Sequence, residues 1–172
     1  MWKSEAAWLS YVRGGIRRGL WNKYPPKLEF LKSRVVLKEN TNPRSMKRYP
    51  LVKRWQCEEC KGWFDDKLIQ VDHRRGHNSL RSVDEIGYYV EAILRECTFE
   101  DYAILCKHCH EIKSYSDAHN IPFEDAKLTK QVIQMEKDKT LKKFLDDHGV
   151  TCKATQRREK ALEILRKEGN VK

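Results

Sequence analysis

Two short cysteine pairs constrain this 172-residue chain more than any other feature: Cys57 with Cys60, and Cys106 with Cys109. A Cys-x-x-Cys turn points both sulfurs to one side, and two such turns supply the four thiolates of a tetrahedral zinc site. The spacing therefore predicts that the two turns meet around one structural Zn²⁺. Forty-five residues lie between the pairs, more than a compact zinc ribbon holds, so a substantial unit is inserted and clamped at both ends. Disulfides or a redox couple are the other uses of such cysteines. Disulfides belong to oxidising compartments, and a redox pair has no need of a second copy. Cys97 and Cys152 fall in no such motif and read as ordinary thiols.

The inserted unit opens on LIQVDHRRGHNSL, residues 68 to 80. Leu68, Ile69 and Val71 read as a short buried strand, and Asp72, His73, Arg74 and Arg75 follow at once. A polar turn after a strand is one reading. A metal site with a general base, facing a polyanion, is the other. Ser82 and Glu85 then predict a capping box for a helix whose apolar positions are Ile86, Tyr89, Val90, Ile93 and Cys97. Ala103, Ile104 and Leu105 lead back as a return strand into the second cysteine pair, and His110 stands at the start of a further helix. Closure by zinc would bring Asp72 and His73 near His110.

Charge is distributed in three blocks. Residues 1–56 carry 14 basic and 3 acidic groups, residues 57–126 carry 8 and 15, and residues 127–172 carry 13 and 7. Basic arms around an acidic centre suit a polyanionic partner, most simply nucleic acid, with carboxylates at the centre to hold cations. Solvated helices with surplus lysine would give the same arms. No apolar run approaches the ~18 residues of a membrane span, and the first twenty residues lack the apolar core of a signal peptide. An intracellular, cytoplasmic protein is expected, in the host cytoplasm if the chain is phage-encoded.

The arms read as helical. Ser4 is placed to cap a helix carrying Trp8, Leu9, Tyr11 and Val12, interrupted at Gly14-Gly15. Pro25-Pro26 starts a second helix with Leu28, Leu31 and Val35 on one face. Residues 39–54 are polar, basic and punctuated by proline, and read as a linker or DNA-contacting loop. Residues 123–148 predict one long amphipathic helix closed by Gly149, with Leu128, Val132, Met135, Leu141, Phe144 and Leu145 for burial. A last basic helix is expected from about Thr155 to Lys167.

In order and local spacing, CEEC, IQVDH and ILCKHCHEIKS resemble the zinc-bearing HNH endonucleases, C-x-x-C … DH … N … LC-x-x-CH-x-x-K, over residues 55–116. The arrangement is similar to that of small bacteriophage-encoded HNH proteins. The resemblance implies an α+β chain: a ββα-metal core stapled by a four-cysteine zinc site and flanked by N-terminal and C-terminal helices. Its divisions would be a basic arm at 1–54, a nuclease core at 55–120 and a basic extension at 121–172. It implies Asp72 and His110 as ligands of a catalytic Mg²⁺ or Mn²⁺, with His73 as general base for hydrolysis of DNA phosphodiester bonds. A regular strand would point Asp72 and His73 to opposite sides, so the strand has to end or bend there for both to serve one phosphate.

The family's middle asparagine falls at Asp101 here. An aspartate can brace the loop by accepting hydrogen bonds but donates none, so Asp101 is either that brace or a further carboxylate near the metal, and Asn78 could supply the missing amide. Arg74, Arg75 and His77 could contact phosphates flanking the cut, or form a solvated turn. Lys113, at the family's lysine position, could touch DNA or complete an ion pair. His108 and His119 read as surface residues and His148 as a helix C-terminal one. A single site cuts one strand at a time, and the sequence leaves monomer and dimer both open. A zinc-stabilised DNA-binding or packaging-accessory protein without turnover is the competing class.

Overall fold

The computed structural model describes residues 2–75, 80–94 and 98–169, which form an α+β chain. Contacts divide it into two compact units, residues 1–110 and 111–172.

The first unit opens with α1, Glu5–Gly19, where the Ser4 hydroxyl accepts the Ala7 N–H at 3.2 Å. Glu5 lies in its first turn and Arg17 and Arg18 in its last, complementing the helix dipole. The helix runs unbroken through Gly14-Gly15, contrary to the expected interruption. Two glycines cost only about 2 kcal/mol of helix propensity. Leu9, Val12 and Ile16, packed with Leu80, Tyr89 and Ile93, outweigh that cost. α2 spans Pro25–Ser33 with both prolines in its first turn, where the missing N–H groups have no intrahelical role. It ends before Val35, which nonetheless packs against the core.

Residues 39–54 are only in part the loop that their polarity predicts: 40–50 form a turn, and the residues on either side of it are strands. β1 (Val36–Glu39) and β2 (Leu51–Gln56) pair antiparallel, with Val36 opposite Arg54 and Glu39 opposite Leu51, and β2 pairs onward with β3 (Trp63–Phe64). Cross-strand pairing, a property of the partner strand rather than of the segment, overrides the local composition. A second sheet joins β4 (Ile69–His73) to β5 (Tyr102–Cys106), with Asp72 opposite Ala103 and His73 opposite Tyr102. Between them lies α3, Ile86–Leu94. Its predicted capping box does not form: the Ser82 hydroxyl makes no cap bond, and the Glu85 carboxylate accepts the Arg81 N–H at 2.8 Å instead. Cys97 lies outside the described residues.

The core of this unit gathers Phe30, Trp55, Ile69, Val71, Tyr102 and Ile104, and the Trp55 indole donates to the Leu31 carbonyl at 2.8 Å. β5 is buried at every position and runs straight into α4, Lys107–His119. The second cysteine pair thus sits at the junction of the two-stranded sheet and a helix, with Cys106 ending β5 and Cys109 in the first turn of α4.

The second unit contains α5 (Phe123–Lys137), α6 (Leu141–Asp147) and α7 (Arg157–Gly169). The single helix expected over 123–148 is therefore two. Lys139 adopts φ +58°, and the Thr140 N–H reaches back to the Met135 carbonyl at 2.9 Å, a left-handed C-terminal stop. In a continuous helix Leu141 would sit about 240° around from Met135. The break instead returns Leu141 and Leu145 to one core with Val132, Ala161 and Leu165. α6 does close at Gly149, at φ +70°.

Candidate metal centres

The Sγ atoms of Cys57, Cys60, Cys106 and Cys109 all lie within 4.8 Å of one another. Sulfurs bound tetrahedrally to zinc sit about 3.8 Å apart, and Cys60 Sγ lies 3.9 Å from Cys106 Sγ. The local fold aims them. Lys61 adopts φ +58° and its N–H bonds the Cys57 carbonyl at 3.0 Å, while the Cys57 N–H bonds the Gly62 carbonyl at 2.9 Å. A Cβ on Gly62 would come within 2.8 Å of the Phe64 ring, so any other residue there has to displace that ring. In the second turn the Cys109 N–H points at Cys106 Sγ, at 3.4 Å. Burial, followed by hydrogen bonding and repulsion from the neighbouring sulfurs, pushes the Cys109 thiol far above its ordinary value. A bound cation removes that penalty, and the four cysteines could hold a metal ion such as zinc.

Glu58 ties this cluster to the hairpin. Its N–H donates to the Ile104 carbonyl at 2.8 Å, and its carboxylate accepts the Ile104 N–H at 3.2 Å. The same carboxylate meets the Arg74 guanidinium at 2.6 Å. Arg74 also donates from Nε to the Glu100 carbonyl at 2.8 Å and from its backbone N–H to the Asp101 carbonyl at 2.7 Å. It is a clamp between the first cysteine turn and the strand that returns to the second. Its side chain is nonetheless 46% exposed.

Across the hairpin, Asp72 Oδ1 lies 3.8 Å from His110 Nε2. That is too long for a hydrogen bond and short enough for one cation to touch both. Each side chain is about one-fifth exposed, at 22% and 23%, so the pair is reachable from solvent. An aspartate oxygen and an imidazole nitrogen together suit Mg²⁺, Mn²⁺ or Zn²⁺.

His73 is placed differently. β4 alternates regularly, burying Ile69, Val71 and His73 and leaving Gln70 and Asp72 on the other side. The strand neither ends nor bends between Asp72 and His73. The His73 ring lies 4.5 Å from that of Trp21 and 5.5 Å from that of Tyr102, and its Nε2 is 3.2 Å from the Ile93 carbonyl. The structure therefore brings Asp72 and His110 together and seats His73 in an aromatic pocket on the opposite face of the strand.

Asp101 caps a short turn: its carboxylate accepts the Thr98 N–H at 2.8 Å and the Thr98 hydroxyl at 2.9 Å. Those two bonds hold its carboxyl below the usual aspartate range. It is committed as a loop brace within its own segment. Lys113 pairs with Asp117 one helical turn on, at 2.6 Å. Arg75 is exposed, as are His108 and His119. His77 and Asn78 lie outside the described residues.

Glu58 escaped sequence reading, as did the meeting of Trp21, one of five tryptophans that read as core or interface residues, with His73. Glu58 sits beside a zinc-type cysteine and looks like surface charge, and Trp21 belongs to no spacing pattern. Comparison with known proteins returned no matching family model, no matching curated protein and no matching solved structure. Among the described residues, no helix is long and apolar enough to cross a membrane.

Proposed function

We propose that this chain is a metal-dependent endonuclease of the HNH type, hydrolysing phosphodiester bonds of DNA, with Zn²⁺ as the structural metal of the four cysteines. One observation carries the reading. Asp72 and His110, 38 positions apart, converge to 3.8 Å at the junction of a hairpin and a helix stapled by four cysteines.

Asp72 and His110 would hold a divalent cation, Mg²⁺ or Mn²⁺, whose chemistry is to neutralise charge on the phosphate and on the departing oxygen. His73 is the proton acceptor. The Ile93 carbonyl can only accept, so His73 Nε2 carries the hydrogen and Nδ1 is the basic nitrogen. In that tautomer the imidazole takes a proton from water and the hydroxide attacks phosphorus in line; the P–O3′ bond breaks and the departing oxygen takes a proton from solvent, leaving 5′-phosphate and 3′-hydroxyl ends. For His73 to meet a phosphate beside Asp72, the strand has to bend after Asp72 when DNA binds, so that the His73 ring leaves the Trp21 pocket and turns to the Asp72 side. Arg75, exposed at the end of the same strand, is placed to contact a flanking phosphate.

The buried position of His73 favours a second reading. A histidine stacked on Trp21 and bonded to a carbonyl is also a satisfied core residue, and a zinc-stapled DNA-binding protein without turnover would have the same packing. Supercoiled plasmid incubated with Mg²⁺, Mn²⁺ or excess chelator, beside Asp72→Asn and His73→Gln, separates the two. Nicking that requires the metal and falls by about 10²-fold or more in both variants, with zinc content unchanged, is expected. Wild-type protein that shifts DNA on a gel yet leaves plasmid intact in either metal would establish the binding protein instead.

A further inference from the structure

We infer that the β1–β2 hairpin is a duplex-DNA docking ribbon, lying in a groove of the DNA; the inference rests on the DNA-directed reading above and is independent of turnover. Residues 36–56 carry six basic groups and one acidic, a net +5. Lys38, Arg44, Lys47, Arg48 and Lys53 are all exposed. Only the base of the hairpin belongs to the core, through Trp55. Beyond it both strands stand out in solvent: β1 is exposed at every position, Leu37 is 60% exposed and Leu51 53%.

A solvated linker would not be built as this tip is. Asn40 is 7% exposed, and its side-chain amide donates to Ser45 Oγ at 3.0 Å and the Tyr49 carbonyl at 2.8 Å while its oxygen accepts the Asn42 N–H at 3.0 Å. The Asn40 N–H bonds the Pro50 carbonyl at 2.8 Å, and the Ser45 carbonyl accepts from Arg48 and Tyr49. One buried asparagine thus fixes an eleven-residue turn, which presents Arg44, Lys47 and Arg48 on an ordered frame. Ordering before contact removes an entropic cost that a free basic tail pays on binding.

The chemistry on the ribbon selects its partner. A two-stranded ribbon fits the major groove, where cationic side chains reach phosphates and apolar ones reach thymine methyl groups. Leu37 and Leu51 share one face of the ribbon with Lys53 and Glu39, and Lys38, over the Trp63 ring at 4.2 Å, adds positive charge to the other. Lysine on an edge strand also discourages pairing with a strand of another protein. Charge and shape together favour a polyanion over a peptide.

The test is fluorescence anisotropy with a labelled duplex of about 30 base pairs across a salt series, in buffer without divalent cations. The hairpin variant is Arg44→Ala/Lys47→Ala/Arg48→Ala. The control, Lys137→Ala/Lys142→Ala/Lys167→Ala, removes equal charge from the second unit. The hairpin variant should bind ~10-fold or more weakly, with a slope of log K against log salt shallower by about 2.7, and the control should stay near wild type. Zinc content and tryptophan fluorescence confirm the fold of the hairpin variant, and helical circular dichroism that of the control. Equal losses in the two variants, or no loss in the hairpin variant, overturn the ribbon. Plasmid nicking by the same proteins keeps the two proposals apart: intact plasmid with hairpin-dependent binding sinks only the nuclease, and nicking with hairpin-independent binding sinks only the ribbon.

Discussion

At the scale of single residues, adjacent positions diverge in role because a strand alternates. Asp72 faces His110 while His73, one peptide away, packs on Trp21. The sequence names both residues but does not decide that the strand stays regular between them, since that depends on Tyr102 pairing opposite His73. A second histidine yields a prediction of its own. His148 Nδ1 lies 2.7 Å from the Phe144 carbonyl and Nε2 3.1 Å from Glu168. Both partners are acceptors and favour the imidazolium, so its pKa is raised, first by the carbonyl and then by the carboxylate. A pKa raised on folding stabilises fully below the unfolded value, about 6.5, and that stabilisation is lost as pH climbs through the folded one. Denaturation of the second unit, followed by helical circular dichroism, should therefore show stability falling as pH rises above about 6.5. His148→Gln should flatten that dependence; an unchanged slope would show that the pairing contributes nothing.

Among the elements, helices were the most legible and their ends the least. The Ser4 cap and the prolines of α2 work locally, so the residues beside them reveal the boundary. The stop at Lys139 has no local signal, because neither glycine nor proline marks it, and its cause is the distant requirement that Leu141 and Leu145 meet Ala161 and Leu165. The hairpin of β1 and β2 was hidden in the same way, as a polar segment whose order comes from its partner strand and from Asn40. Gly15 gives the element-scale prediction. A side chain there would meet nothing within 4 Å, and the position lies inside α1. Gly15→Ala should therefore stabilise the first unit by about 1 kcal/mol in denaturant unfolding. A decrease would mean that α1 is bent or broken at this point in solution.

For the whole molecule, the four-cysteine cluster joins the two ends of the inserted segment in the first unit. Zinc held there, as proposed above, would contribute about 10 kcal/mol or more, comparable with the whole stability of a domain. Trp2, Trp8, Trp21, Trp55 and Trp63 all lie in residues 1–110, so tryptophan fluorescence reports on that unit. Cys57→Ser, or zinc removal by a strong chelator, should abolish the cooperative tryptophan transition and leave the helical signal of residues 111–172 in place. A tryptophan transition that persists with zinc absent would show that Phe30, Trp55 and Tyr102 suffice to hold the unit together. By itself the sequence determined the paired cysteines, the short strand leading into Asp72, the starts of the first two helices and the basic sign of both arms. Each is a matter of neighbours in the chain: turn geometry, alternation, capping and charge. Only the tertiary structure decided that Asp72 reaches His110, that Arg74 clamps Glu58 to the Glu100–Asp101 carbonyls, and that His73 lies under Trp21. These are meetings of residues far apart in the chain, fixed by strand register and core packing, for which one-dimensional spacing carries no signal.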